Sequence, residues 1–494
     1  FFSQFMAIRW AAVFLALLLS IAFVHCEEHK GHKATHNNNN NGGEKEESEG
    51  DLGIAVMLMG SIAFQLSLFY LVNHPDKDMK KYSWETISQT ISIFLAVLIF
   101  QGFNGIVDHY AIEHSSLFMK EVFDLLHMLG WVVILQLTLY FSSGAHKKEH
   151  SESEIGHSTH SRAKSASILL AHVTGFASMN FWGGLQGFSF FASSPLMSLM
   201  AVPAAFLGMI GLYHVTDNIR ESHAAADNSK DEWEILWDEE TEEAEHDIMG
   251  LTVSFLITQT LRFWISGQLP NKEGVDKGEH TLMQAFHLLM CALVAVVGVL
   301  GFGKWHKHLE AIPGTSMKER AVTSLSIISS MVFAWCLLYS TKWALSTVHY
   351  ETLREGIFGK VVVAIVVSAL SFILIFFLDK LADSEKTSDA VDELIVIVIG
   401  SFGIMIGFSW EQSFDTGVEV IAEAFSEESK HWMQLLITLM LAGVVLPAWK
   451  WYILPNLLHA SHHGGGHAEH GHCPIHGHSE ETRLLLSEGG KTKH

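Results

Sequence analysis

Val361-Val-Val-Ala-Ile-Val-Val-Ser-Ala-Leu-Ser-Phe-Ile-Leu-Ile-Phe-Phe-Leu378 carries no charge along its whole length, with Lys360 before it and Asp379 after it. A helix crossing the hydrocarbon core of a bilayer needs roughly 20 apolar residues. This stretch meets that requirement, and working outward from it the same length recurs at about 52–73, 85–107, 121–142, 165–188, 196–214, 248–266, 283–302, 321–341, 392–410 and 432–453. The fold class this predicts is all-α: a polytopic transmembrane helical bundle of about 11 spans. Of the 494 residues, 49% are hydrophobic and only 17% charged, and the charges collect between the apolar blocks.

Ahead of the first span, Arg9 and the apolar run Ala11–Val24, with Met6 as initiator and Cys26 at a cleavage point, read as a signal peptide over 1–26. An uncleaved anchor would make a twelfth span. Residues 27–51, rich in His and Asn, have too little apolar surface to form a core and read as a disordered lumenal arm. The organisation expected downstream is an N-terminal transmembrane half at 52–216, an acidic cytoplasmic loop at 217–247, a C-terminal half at 248–455, and a disordered His-rich cytoplasmic tail at 456–494. Lysine and arginine favour the loops assigned to the cytoplasm, such as Lys77, Lys80 and Lys81, or Lys304, Lys307, Lys318 and Arg320.

The openings of three spans resemble one another: Lys120-Glu-Val-Phe-Asp-Leu-Leu-His127, Thr281-Leu-Met-Gln-Ala-Phe-His287, and Lys430-His-Trp-Met-Gln-Leu-Leu436. Aromatic endings recur as well, at Asn180-Phe-Trp182, Phe333-Ala-Trp335 and Phe408-Ser-Trp410. A repeated helical hairpin is the expectation, with a four-helix unit duplicated over 85–378 and a partial third copy. Internal repeats are a feature of many transporters.

Charges inside apolar spans are costly and therefore informative. Asp124 and His127 share one face of the third span, Arg262 lies in the sixth, His287 in the seventh and Glu411 in the tenth. Carboxylate and imidazole titrate or bind divalent cations. Asp124, His127, His287 and Glu411 are expected to converge beneath the lumenal surface as a cation or proton entry site, with Arg262 paired to Asp124 or Glu411. Gly403-x-x-x-Gly407 suits close helix approach.

The tail presents His459, His462, His463, His467, His470, His472, Cys473, His476 and His478 in a Gly-rich setting. Imidazoles at that spacing suit zinc or another divalent cation. Glu480 four residues before Leu484-Leu485 resembles an acidic dileucine sorting signal, which would bring a sorting adaptor as partner and an endosomal, lysosomal or vacuolar address.

The net charge of −22 comes largely from 217–247 and 411–428 and argues against nucleic acid as a partner, because phosphate binding needs basic patches. No P-loop and no Gly-x-Ser-x-Gly motif occurs, so an enzyme is not expected. The function expected is a multi-pass transporter or channel for a small cation, proton or divalent metal. Two alternatives stand beside it. One is a haem-binding redox protein using His127 with His172 or His287, the first of these pairs being disfavoured by depth. The other is a non-transporting scaffold or receptor that presents the acidic segment with Trp233 and Trp237.

Overall fold

The computed structural model describes residues 58–463 apart from 113–114, 147–156, 225–230, 277, 311–315, 348–356, 383–388, 424 and 426. The segments expected as signal peptide and lumenal arm lie outside the described residues. So do His467, His470, His472, Cys473, His476, His478, Glu480, Leu484 and Leu485.

The described chain is helical throughout. A short apolar helix α1 (Leu58–Val72) is followed by α2 (Lys77–Val107), α3 (Leu117–Ser143), α4 (His157–Gln186), α5 (Pro195–Ala224), α6 (Glu232–Ser266), α7 (Leu282–Glu310), α8 (Ser316–Ser346), α9 (Ile357–Ala382), α10 (Asp389–Glu423), α11 (Glu427–Ala448) and α12 (Leu454–His463). Single π-helical turns follow α2 and α11. Among the described residues nine helices are long and apolar enough to cross a membrane, and the chain is an integral, multi-pass membrane protein by that measure.

Helices α2, α4, α6, α8 and α10 form a closed inner ring: α2 packs on α4, α4 on α6, α6 on α8, α8 on α10, and α10 returns to α2. Each of α3, α5, α7 and α9 packs on the inner helix that follows it, and α11 comes back to cover α2. The inner helices run parallel. On α6 and α8, His246 meets Ser324, Ser254 meets Trp335 and Arg262 meets Tyr339, both chains advancing together. The same order holds between α10 and α2, where Gly403 faces Gln89 and Gly407 faces Thr90 and Ile93. About three quarters of the apolar stretch is buried in α6, α8 and α10, against a third or less in α3, α5, α7 and α11. Those outer helices turn Leu137, Leu207, Val297 and Val444 outward, as contact with lipid requires.

Placement in the ring explains composition. α4 falls short of the apolarity of a lipid-facing span because it touches mainly other helices. It buries Ser165, Ser167, His172, Thr174, Ser178 and Asn180 instead. Aromatic rings from four inner helices fill the middle: Phe176 of α4 stacks on Phe408 of α10 at 6.2 Å, Phe408 meets Trp335 of α8 at 4.7 Å, and Trp335 meets Phe255 of α6 at 5.8 Å. The aromatic endings that suggested a repeat are struts between helices. Trp335 donates its indole N–H to Ser254 at 3.1 Å, and Trp410 donates to Ser368 at 3.0 Å.

Two expected boundaries change. Within 217–247, expected as a loop, the described residues are largely helical: α5 runs through its start to Ala224, and Glu232 begins α6, which continues to Ser266. Asp231 caps α6 by accepting from the Trp233 and Glu234 amides, and Glu234 returns a bond to the Asp231 amide. Several acids beyond the cap are paired inside the bundle. Arg220, only 2% exposed, binds Asp217 at 2.6 Å, Asp238 at 2.8 Å and Glu245 at 3.1 Å, while Arg320 reaches Asp217, Glu242 and Glu245. Trp237 is buried against Tyr140 and His223 and is not presented at the surface, while Trp233 is half-buried. At the other boundary, helix α12 extends to His463, making His459, His462 and His463 helical where a disordered tail was expected from 456.

Candidate functional site: the charged mouth of the inner ring

The C-terminal ends of the inner helices carry a layer of charge. On α6 from Glu240 to Arg262, and on α8 from Arg320 to Lys342, the two charged layers stand roughly 33 Å apart at 1.5 Å per residue, close to the thickness of a bilayer core. The aromatic filling lies between them.

Arg262 is fully buried. Its guanidinium pairs with Asp276 at 2.6 Å, donates to Gln259 Oε1 at 2.7 Å and to the Gly274 carbonyl at 2.8 Å, and lies 3.6 Å from the centre of the Tyr339 ring. Burial alone would raise the Asp276 carboxyl. The neighbouring His280 imidazole at 3.5 Å, the Arg262 guanidinium and a 2.8 Å bond from the Trp343 indole outweigh it and hold the group well below the usual carboxylate range. His280 stacks on Trp343 at 4.1 Å, which closes the arrangement.

Asp276 belongs to the loop between α6 and α7, which folds back over the ring. Asn271 organises it: its side-chain carbonyl accepts from the Glu273 and Val275 amides, and its backbone carbonyl accepts from Gln259. Gly274 has φ +79, and a Cβ there would collide with the Tyr339 hydroxyl. From the same loop Lys272 reaches Asp124 of α3 at 3.4 Å, and Glu273 lies within electrostatic reach of Asp108 and Asp415. The loop thus caps the ring mouth and ties α3, α6 and α8 together.

Asp124 is buried and accepts from Asn180 of α4 at 2.8 Å. One turn earlier, Glu121 lies against Gly184, where any side chain would displace it. His127 accepts from the Trp131 indole at 2.9 Å, on the ring nitrogen assigned as acceptor, and stacks on Phe100. Across the mouth, Lys342 donates to Gln412 at 2.8 Å and Lys360 bonds Thr416. Glu411 is 2% exposed and stands within electrostatic reach of Lys342, Lys360 and Asp415, with Gln101 of α2 beside it. Its Oε1 has no hydrogen-bond partner among the described residues, and the same holds for Gln101 Oε1 and Asn104 Oδ1.

The structure brings Asp124, His127, Arg262 and Glu411 to the ring mouth, but not in the expected pairing. Arg262 takes Asp276 rather than Asp124 or Glu411. His287 is exposed on the outer helix α7 and takes no part. A haem would need His127 and His287 facing one another, and their placement does not provide it. Lys272, Asp276, Lys342 and Lys360 complete the site and were not singled out from sequence. The only pointer to the loop was its Asn271-Lys-Glu-Gly274 turn chemistry. In this layer the carboxyl groups of Asp108, Glu121, Asp124, Glu273, Asp276, Glu411 and Asp415 stand with the cationic groups of Arg262, Lys272, Lys342 and Lys360. Among the described residues no three His, Cys, Asp or Glu side chains gather closely enough to hold a metal ion. Comparison with protein-family models, curated proteins and solved structures finds no match.

Proposed function

We propose that this protein moves protons across its membrane, with Glu411 as the group that takes up the proton at the ring mouth. The observation carrying the proposal is Glu411 itself: a carboxyl group buried in a span, one oxygen without a hydrogen bond among the described residues, within electrostatic reach of two lysines and a second carboxyl. Buried carboxyl groups of this kind mark proton paths in membrane proteins. A proton is favoured over a divalent metal because among the described residues the site lacks three gathered ligands, and it already holds two ammonium groups. The aromatic filling of the ring describes a closed state, which must rearrange for passage.

The His-rich tail, by its composition, is proposed as a collector of zinc or a similar ion, with the dileucine segment directing the protein to an endosomal or vacuolar membrane.

The test is flux in proteoliposomes holding the full-length protein, with a pH-sensitive dye inside and a potassium–valinomycin potential across the membrane. The intact protein should dissipate the gradient, Glu411→Gln should slow that by about tenfold or more, within the range general acid–base groups contribute, and deleting 459–478 should leave proton flux unchanged. Intact protein indistinguishable from empty liposomes would sink the proposal.

A further inference from the structure

At the opposite end of the ring a second charged seam lies between α4 and α6. Glu240, Glu243 and Asp247 recur at helical spacing on α6 and so share a face. That face meets α4. Ser167 donates to the Glu240 backbone carbonyl at 2.7 Å, the Lys164 ammonium stands 3.9 Å from the Glu240 carboxylate, and it hydrogen-bonds Glu243. Asp247 lies about two turns further in, roughly 10 Å along the helix, within electrostatic reach of Glu243 and Lys164.

Around α6 the charges are partitioned. Arg220 from α5 and Arg320 from α8 are engaged by Asp217, Asp238, Glu242 and Glu245, and Gln136 from α3 also turns to Glu245. Glu239, on the same helix, is exposed. Toward α4 the helix presents the carboxyl groups of Glu240, Glu243 and Asp247, which meet Lys164, with the exposed His160 one turn before it on α4. Glu240 is 4% exposed, and its Oε2 receives no hydrogen bond among the described residues. The register of the two helices places His172 deeper on α4. Lys164 sits beside Glu240 and Gly175 faces Leu251, so His172, 3% exposed with Nδ1 unpartnered, lies close to the level of Asp247 and Ile248.

Three carboxylates around one ammonium, with Glu240 buried and Glu243 and Asp247 half-buried, repel one another, and the repulsion is relieved when one of them takes up a proton. An inorganic cation would have to share the seam with Lys164, whereas a proton needs only an oxygen, and Glu240 Oε2 offers one. We infer that Glu240, Glu243 and Asp247, set against Lys164, form a second proton-holding station at the N-terminal end of the inner ring. Its role as the counterpart of Glu411 rests on the proton reading. Its existence does not.

Infrared difference spectra of the full-length protein in nanodiscs, recorded between acid and alkaline pH, read protonated carboxyl groups directly through their C=O stretch. The intact protein should show a band from this station that Glu240→Gln abolishes and Glu411→Gln leaves in place. Lys164→Met should move its titration upward by about one pH unit or more, because an opposite charge at this distance favours the ionised form. Asp247→Asn should move it downward. A merely structural seam would show neither shift. If Glu240→Gln fails to assemble as a monodisperse protein, the opposite shifts in Lys164→Met and Asp247→Asn still decide the matter. A spectrum unchanged in Glu240→Gln, or a titration unmoved in both of the other variants, overturns the inference. A Glu240 band present in a protein that conducts no protons leaves the station standing and removes only the flux proposal.

Discussion

Arg262 shows how one side chain can hold a loop in place. Buried among Asp276, Gln259, the Gly274 carbonyl and Tyr339, it has every reason to be destabilising when its partner is lost. Removing one member of such a pair typically costs about 3–5 kcal/mol, because the other charge is stranded. Arg262→Met and Asp276→Asn should each lower stability by that order in detergent unfolding experiments, and the double variant should lose far less than their sum. Additive losses would show that the pair is not coupled. The same carboxylate makes a pH prediction. Its folded-state affinity for protons is depressed below the ordinary value of 3.8, so its contribution is fully present above that pH and is lost as pH falls below it. Intact protein should therefore lose thermal stability on acidification below about pH 4 more steeply than Asp276→Asn does, by the linkage relation. His287 makes the opposite case. Exposed on α7, His287→Leu should change stability by no more than about 0.5 kcal/mol and leave flux intact. A strong loss of flux would return His287 to the site.

At the scale of elements, the contact of α10 with α2 depends on Gly403 and Gly407. A Cβ on Gly407 would stand 2.9 Å from the Thr90 carbonyl and 3.1 Å from Ile93 Cβ, so the backbones themselves would have to part. Gly407→Ala should cost about 1–3 kcal/mol, the usual range for overpacking, whereas Gly417→Ala on the same helix meets nothing within 4 Å and should be neutral or slightly stabilising. Equal effects in unfolding assays would mean that the two helices do not pack this closely. The loop over the ring mouth rests on Gly274 in a similar way. Gly274→Ala forces an L residue into left-handed backbone at about 1–2 kcal/mol and pushes against Tyr339. It should speed hydrogen exchange in 271–276 while the inner helices stay protected.

For the whole molecule, the two concentric layers of helices make a prediction about lipid. A carbene reagent dissolved in the bilayer should label α3, α5, α7 and α11 at exposed positions such as Leu137, Leu207, Val297 and Val444, and spare Leu256, Leu338 and Phe402, which are buried. Heavy labelling of α6, α8 or α10 would contradict a closed inner ring. The ring also explains which parts of the site were legible beforehand. Asp124, Arg262 and Glu411 stand out in sequence because a charge within an apolar run is conspicuous. Asp276 and Lys272 look like any solvated loop charges until the loop is seen folded over Arg262. For a related reason the acids of 217–247 read in sequence as a solvated surface, and only Arg220, Arg320 and Lys164, arriving from three other helices, draw several of them into paired structure.

Length and apolarity alone determine that this chain forms membrane-spanning helices, because each helix satisfies its own backbone hydrogen bonds and needs no knowledge of its neighbours. Which helices sit inside, which charge meets which, and that His287 faces outward while Glu411 is enclosed were decided only by tertiary packing. Those outcomes depend on contacts between residues far apart in the chain, and the pattern of a single span contains no record of its partner.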